Sequence, residues 1–352
     1  MATVHFAYTI PPLKKTRFLS YYDYLAKKTH LFPPFFRYGA VDWPRPIRAP
    51  QSITYHLLKA LQKVAKVRLY DWGENTVCDM KSGDIFLGHP KPDTSQFPWV
   101  EPDRKTVAYR TIKKCPKDRN FIISPYNHDL QQVGWSKEIF EHADNFIAIC
   151  DKYWIETWSD SPLREYVKNL YRVNMAVDVD DYPQVKFSFS PKGKRKYLYV
   201  GRTEHPKNIE ELERIAASSK NFIGGYISNG SIKGWHKIAN YADLTPSFMS
   251  KLAKEYDIFL HTSEFDAQAT VVLEMMLFGF AVACTKESGI SYQSVTRLDI
   301  KDTQFNCRQL EALQAADETE LLELSRMNRD NVLKNHNWDE FCNSVLSAMR
   351  IN

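Results

Sequence analysis

One stretch near the middle of the second half, residues 258–285, reads IFLHTSEFDAQATVVLEMMLFGFAVACT and leaves the chain few ways to fold. IFLH is an apolar run of strand length. A polar loop follows, and the apolar segment beginning near Ala269 or Thr270 is too long for another strand before Gly279 stops it. AVACT then reads as a second strand. A strand, a crossover helix and another strand in so short a span imply parallel pairing, and parallel sheets are covered on both faces. The central Glu274 and Gly279 also break the run before it reaches the roughly 20 continuous apolar residues of a membrane span.

The same alternation recurs along the chain and predicts α/β architecture. In the first half, strands are expected at residues 4–8, 67–70, 84–87, 106–109, 121–124 and 145–149, with a helix over 52–64. In the second half, strands are expected at 196–200, 222–224, 236–239 and 258–261. Helices are expected at 208–218, after Thr245-Pro246, at 318–335 and at 338–349, with Phe248, Leu252 and Tyr256 on one face of the helix that Thr245 caps. At 352 residues the chain is too long for one ordinary core. Residues 182–195, YPQVKFSFSPKGKR, are polar and basic and carry both Pro and Gly, which reads as a linker. The expected division is 1–184, holding a long insertion at 11–50, then 185–336, then a C-terminal helix over 337–352 packing back on the first domain. Both large domains are expected to be Rossmann-like and doubly wound, facing a cleft, with ligands at the carboxyl ends of the strands.

Charge is unevenly spread. Residues 1–100 hold 14 Lys/Arg against 7 Asp/Glu, while the whole chain carries a net charge of only +5. Much of the excess lies in the insertion, where Lys14, Lys15, Arg17, Lys27, Lys28, Arg37, Arg45 and Arg48 alternate with Tyr and Phe. Such a face is either an ordinary solvated surface or one suited to an anionic acceptor or an anionic membrane. The N-terminal apolar run is cut by prolines and lysines before signal-peptide length. The six cysteines are scattered without a Cys-x-x-Cys pair, which fits reduced thiols better than zinc or disulfides. A cytoplasmic protein is expected, with the basic region available for contact with the inner face of a membrane.

Two groups of residues carry candidate chemistry. Asp266 falls on the loop after IFLH and Glu274 about one turn into the following helix, so the two carboxylates bracket a helix N-terminus at different heights. Free N–H groups there suit a phosphate. Carboxylates beside a phosphate would repel it unless they faced hydroxyls, so both are expected to accept hydrogen bonds from sugar OH groups. Each alone could equally be an acid favoured by the helix dipole. The second group is YVGRTEHPKN, which ends a strand at Gly201 and then supplies Arg202 and Lys207, cations able to neutralise a diphosphate. His89, in GHPKP after a strand, is a candidate for the cleft. His5, His30, His56, His205 and His236 read as structural or surface residues.

YLYVGRTEHPKNIEELERIA followed by EYDIFLHTSEFDAQATVVLEMMLFGFAVACTKESGI resembles the second domain of retaining GT-B glycosyltransferases of the Glu-x7-Glu type, the family 4-like enzymes. ADNFIAICDKY, VNMAVDVDDY and YNHD resemble their first domain more loosely, and residues 10–50 hardly at all. The resemblance implies a nucleoside-diphosphate sugar donor and no metal or other cofactor. It implies that Arg202 and Lys207 hold the diphosphate and stabilise the leaving group, that Glu274 takes the ribose hydroxyls, and that Asp266 faces the transferred sugar. Gly201 and the backbone of Ala267, Gln268, Ala269 and Thr270 would line the donor site, and His128 would approach the sugar from the other domain. The acceptor it implies is a glycan or a lipid-linked molecule; the basic insertion would equally suit a nucleic acid carrying a modified base. There are departures: Asp266 stands for the first Glu, Ala267-Gln268-Ala269 for Gly-Phe-Gly, and TIPPLKK for the glycine-rich loop after the first strand. Three other readings compete. Asp178-Val179-Asp180 matches the Asp-x-Asp of metal-dependent transferases of another fold. A dinucleotide oxidoreductase would need a Gly-x-Gly-x-x-Gly that neither domain has. The third is a non-catalytic nucleotide-sugar-binding protein of the same fold.

Overall fold

The structure, a computed structural model, describes residues 3–10, 51–93, 95 and 101–351. The basic and aromatic insertion expected at 11–50 lies outside the described residues. The described chain forms two six-stranded sheets, both parallel throughout. The first holds β1 (Thr3–Tyr8), β2 (Lys66–Asp71), β3 (Ile85–Gly88), β4 (Asn120–Pro125), β5 (Asn145–Ile149) and β6 (Asn169–Val173), in the order β2-β1-β3-β4-β5-β6. The second holds β7 (Tyr197–Val200), β8 (Gly224–Ile227), β9 (His236–Ala239), β10 (Ile258–His261), β11 (Ala281–Thr285) and β12 (Thr296–Leu298), in the order β12-β11-β10-β7-β8-β9. In both sheets the order reverses beside the first strand, and that reversal opens a crevice for ligands: between β1 and β3 in one, between β7 and β10 in the other.

Alternation along the strands explains the layers. Val4, Phe6 and Tyr8 of β1 pack on one face with Leu57 and Leu61 of the helix Gln51–Val64 and with Phe341, Val345 and Met349 of the last helix, Trp338–Met349. Ala7 points to the opposite face, where Val107, Ile139 and Trp154 lie. The second sheet is likewise covered twice, by the helices Pro246–Leu252 and Thr270–Phe278 on one side and by Ile209–Ser218 and Thr303–Ala315 on the other. Thr270–Phe278 is mostly apolar because most of it is buried: Val272, Leu273, Met275, Met276, Leu277 and Phe278 are enclosed, and Thr270, Val271 and Glu274 are left partly exposed. Gly279 ends it at φ 92, a left-handed conformation where a Cβ would also meet the Lys186 carbonyl at 2.9 Å.

The chain passes between the sheets twice. Outbound it runs through residues 175–183, and inbound through His336 into the last helix. The two passages are tied together, Val177 N donating to the His336 carbonyl at 2.9 Å and His336 Nδ1 to the Met175 carbonyl at 2.7 Å.

Three expectations are corrected. Residues 106–109 are not a strand: Thr106 begins the helix Val107–Ile112, its amide bonded to Asp103 O and its carbonyl accepting from Arg110 N. The β-branched residues there were overruled by packing that buries Val107, Ala108, Tyr109, Thr111 and Ile112 together. The strand expected at 222–224 begins only at Gly224 and runs to Ile227; its two glycines make room for the Trp235 and Tyr256 side chains, which lie 2.3 and 2.2 Å from where their Cβ atoms would stand. The basic linker is no loose tether either. Lys186 is buried against Asp257 at 2.8 Å, and Arg195 is 2% exposed. The Arg195 guanidinium donates to the carbonyls of Leu313, Gln314 and Ala316, the unpaired C-terminal groups of the helix Thr303–Ala315.

Candidate functional site

A cleft of about 960 Å³ opens at the carboxyl ends of β7 and β8, between the second sheet and the outbound passage. Gly201 and Arg202 line it from the end of β7, Ile227 and Ser228 from the end of β8, and Thr270 and Glu274 from the first turns of the helix after β10. Residues 175–178 and Tyr182 of the passage, with Ser52 and Trp338, form the opposite wall. Gly201 is required by space, since a Cβ there would come within 2.9 Å of the Tyr199 hydroxyl. That hydroxyl donates to the Arg202 carbonyl and fixes the loop.

Lys207 and Asp266 meet beside the crevice between β7 and β10. Thr262 Oγ1 donates to the carbonyls of Lys207 and Asn208 at 3.2 and 3.1 Å, and Ser263 Oγ to that of Pro206 at 3.1 Å, so the end of β10 holds the Lys207 loop. Lys207 Nζ then lies 2.5 Å from Asp266 Oδ2, and His261 Nε2 lies 3.0 Å from the same oxygen. Burial pushes the Asp266 carboxyl up, but the His261 hydrogen bond and the Lys207 charge outweigh it and hold the group well below the usual carboxylate range. Burial and the Lys207 charge lower His261 although Asp266 pulls the other way, so a neutral imidazole donates from Nε2.

Glu274 stands in different surroundings. Burial pushes its carboxyl up to about 7, and a hydrogen bond from the Tyr182 hydroxyl to Oε1, 3.2 Å long, pulls against the rise.

The structure engages some sequence-assigned positions elsewhere. The Ala269 amide donates to Ser288 O at 3.1 Å and that of Asp266 to Glu287 O at 2.9 Å, so these N–H groups are spent inside the protein. Gln268 turns away and accepts from the buried Met175 amide at 2.6 Å, bridging to the outbound passage. The Ala267 carbonyl accepts from Asp151 N at 3.0 Å, and Trp154 Nε1 donates to the Asp266 carbonyl at 2.7 Å. The acidic loop is thereby clamped by residues that follow β5. His128 lies behind this clamp, half-buried, its Nε2 3.2 Å from the Trp154 carbonyl. His205 is exposed, in keeping with its reading as a structural or surface residue, and joins the halves through Asp129 at 3.2 Å. His89 is enclosed by Tyr8, Trp72 and Trp135, and burial lowers it to about 4. Among the described residues no group of three or more His, Cys, Asp or Glu is placed to hold a metal ion, and no helix is long and apolar enough to cross a membrane.

No protein-family model matches the chain. No curated protein matches it. Solved structures do. Ninety-nine per cent of the chain superposes on 98% of sucrose-phosphate synthase from Thermosynechococcus elongatus, with a TM-score of 0.60 at 13% identity. A trehalose-6-phosphate protein of E. coli bound with UDP-2-fluoro glucose matches over 99% of both chains, with a TM-score of 0.58 at 10% identity. TarM matches 84% of the chain with a TM-score of 0.51 at 10% identity, and the chain spans 57% of that protein. At such identities the likeness is one of fold. Two doubly wound parallel sheets facing a cleft, in the arrangement of these structures, make this a GT-B fold.

Proposed function

We propose that the protein is a retaining glycosyltransferase that moves a sugar from a nucleoside diphosphate to a glycan or lipid-linked acceptor. The observation that carries this is the cleft itself: Gly201-Arg202 at the carboxyl end of β7 on one side and Glu274, in the first turns of the helix after β10, on the other. The Lys207–Asp266 pair joins the loops that follow the same two strands, outside the cleft lining. One of the structures sharing the fold is bound with UDP-2-fluoro glucose, which supports a nucleotide-sugar donor.

The roles follow from the groups present. Arg202 faces the cleft and offers a planar fork of donors to a diphosphate. Lys207 resolves the difficulty of a carboxylate next to a phosphate. Its ammonium has three donors, so it can keep Asp266 and still take a phosphate oxygen, cancelling the repulsion between them. As the bond to the sugar breaks, charge grows on the departing diphosphate, and both cations stabilise it. Asp266, kept ionised, accepts from hydroxyls of the transferred sugar, and Glu274 accepts from those of the ribose. Retention would follow from attack on the face the leaving group departs from. No metal is invoked, because two cations already neutralise the diphosphate.

The test is calorimetric binding of UDP, GDP, ADP and CMP and their sugars, followed by donor hydrolysis and transfer assays with and without EDTA. One donor should bind and turn over in EDTA. Turnover abolished by EDTA and restored by Mn²⁺ would sink the assignment, and binding without hydrolysis or transfer across a broad acceptor panel would reduce the protein to a sugar-nucleotide-binding module.

A further inference from the structure

Tyr182 has no part in the chemistry described above, yet its position is specific. It lies at the end of the outbound passage and lines the same cleft as Glu274. Its hydroxyl donates to Glu274 Oε1 at 3.2 Å. Its ring meets Phe278, on the helix that carries Glu274, edge to face with centroids 5.4 Å apart. Its carbonyl accepts from Arg329 Nη1 at 3.1 Å, and the same nitrogen donates to the Leu277 carbonyl at the end of that helix. Side chain, ring and backbone are thus all fastened to one helix, and ninety-two positions of sequence separate the phenol from the carboxyl it holds.

We infer that Tyr182 is the positioning residue for Glu274: its hydroxyl occupies one carboxylate oxygen, fixes the plane of the carboxyl, and favours the ionised form that ribose hydroxyls require. The inference rests on the reading of Glu274 as the ribose-binding group. It also makes the interdomain passage part of the donor site, since the residue that orients the carboxyl belongs to the segment joining the two sheets.

The physical reasoning is that a carboxyl mostly out of water resists ionisation, and a hydrogen bond donated to the charged form offsets part of that resistance. Here burial raises Glu274 and Tyr182 lowers it. The phenol cannot give its proton away instead, because burial and the adjacent Glu274 hold Tyr182 protonated. Other charged groups lining the cleft are Asp178, Asp180 and Asp181 on the passage, Arg202 and Glu204 after β7, and Asp243 after β9. From the helix behind, Arg329 faces the end of the Glu274 helix. Asp178 also lies 3.3 Å from His56. Burial and the Tyr182 hydroxyl are what set the Glu274 carboxyl, and removing the hydroxyl leaves these other groups in place.

The experiment compares wild type, Tyr182→Phe and Glu274→Gln by calorimetric titration with UDP, GDP and ADP between pH 6 and 9. Phenylalanine keeps the ring against Phe278 and loses only the hydroxyl; a melting curve checks the fold. For the nucleotide the wild type binds, Tyr182→Phe should bind about five- to tenfold more weakly at pH 7, the effect of losing one ordinary hydrogen bond. At pH 9, where Glu274 is ionised in both proteins, the deficit should shrink to about twofold, what loss of the fixed carboxyl plane alone costs. A ratio of affinities that stays constant across the range, or stays at one, overturns the inference. If Glu274→Gln weakens binding and Tyr182→Phe does not, the inference alone fails. If Glu274→Gln binds as well as the wild type, or the wild type binds none of the three, the reading of the site fails and the inference with it.

Discussion

Asp266 is hydrogen-bonded by His261 and ion-paired to Lys207, on a loop clamped through Trp154 and Asp151, whereas Glu274, eight residues later, has a phenol for a partner and apolar helix around it. Both carboxyls are withdrawn from water, and the environments push them apart: the first is held below the ordinary carboxylate range, the second raised to about 7. What the pair teaches is that burial alone does not decide the protonation of an acid. The neighbour's charge does. A protein can therefore keep two acids a few residues apart and give them different sensitivities to pH.

Removing Lys207 should break the contrast most completely. Lys207→Ala strands Asp266 with a half-buried charge and, in the proposed mechanism, deprives the leaving diphosphate of a cation; transfer should fall about 10²–10³-fold with the fold intact by circular dichroism, as for loss of one preorganised charge-stabilising donor. Turnover at the wild-type rate would remove Lys207 from the mechanism. Next in size is Glu274→Gln, which should weaken donor binding about ten- to a hundredfold, the range for hydrogen bonds to a charged group, with a smaller change in turnover.

A third prediction sharpens the contrast through stability. Glu274 has a folded-state value above its ordinary 4.5, so the folded protein holds a proton the unfolded chain has released, and stability falls as pH rises from about 4.5 to about 7. Glu274→Gln removes that loss. Its melting temperature relative to wild type should climb between pH 5 and pH 8, by the equivalent of roughly 2 kcal/mol. Asp266 runs the other way: its stabilisation is present above its ordinary 3.8 and is lost as pH falls. Asp266→Asn should cost roughly 1–3 kcal/mol at pH 7, between the values for exposed and buried pairs, and progressively less in acid. Parallel pH curves for the two variants would show that the environments do not differ as described. The smallest effect is expected at His205, whose side chain is 50% exposed where it meets Asp129. His205→Ala should change the unfolding free energy by no more than about 0.5 kcal/mol in urea titration.

Several elements were readable to the residue. Ile258–His261, Glu318–Asn335 and Trp338–Met349 have strong periodicity or clear punctuation, and the Gly201-Arg202 and Glu274 positions followed from the strand ends and helix starts that flank them. The strands that escaped notice, β6 and β12, each lie at one edge of their sheet. Asn169–Val173 buries only Val173 fully, and Thr296–Leu298 only Leu298, so neither carries a full apolar pattern. The helix Thr303–Ala315 escaped for another reason: two of its four buried residues are Asn306 and Gln314, polar side chains satisfied by Glu211, Asp299 and Arg195. Within the site, the unread partners of the acids were Tyr182, Trp154 and His261. The first two are 92 and 112 positions from the groups they hold, and contacts of that span leave no mark on local pattern. His261 was within reach, since it ends β10 five residues before Asp266.

The burial of Lys186 and Arg195 bears on how this protein can be taken apart. A stretch of lysines, prolines and a glycine between two sheets invites both proteases and cloning primers, but most of its anchoring side chains are already engaged. Cutting after Lys186 requires pulling an ammonium off Asp257, and cutting after Arg195 requires uncorking the end of the helix Thr303–Ala315. Trypsin should therefore leave these two bonds until the second sheet itself unfolds. A second half expressed alone should begin ahead of Lys186 to fold, because those residues are foundations of the sheet that follows them.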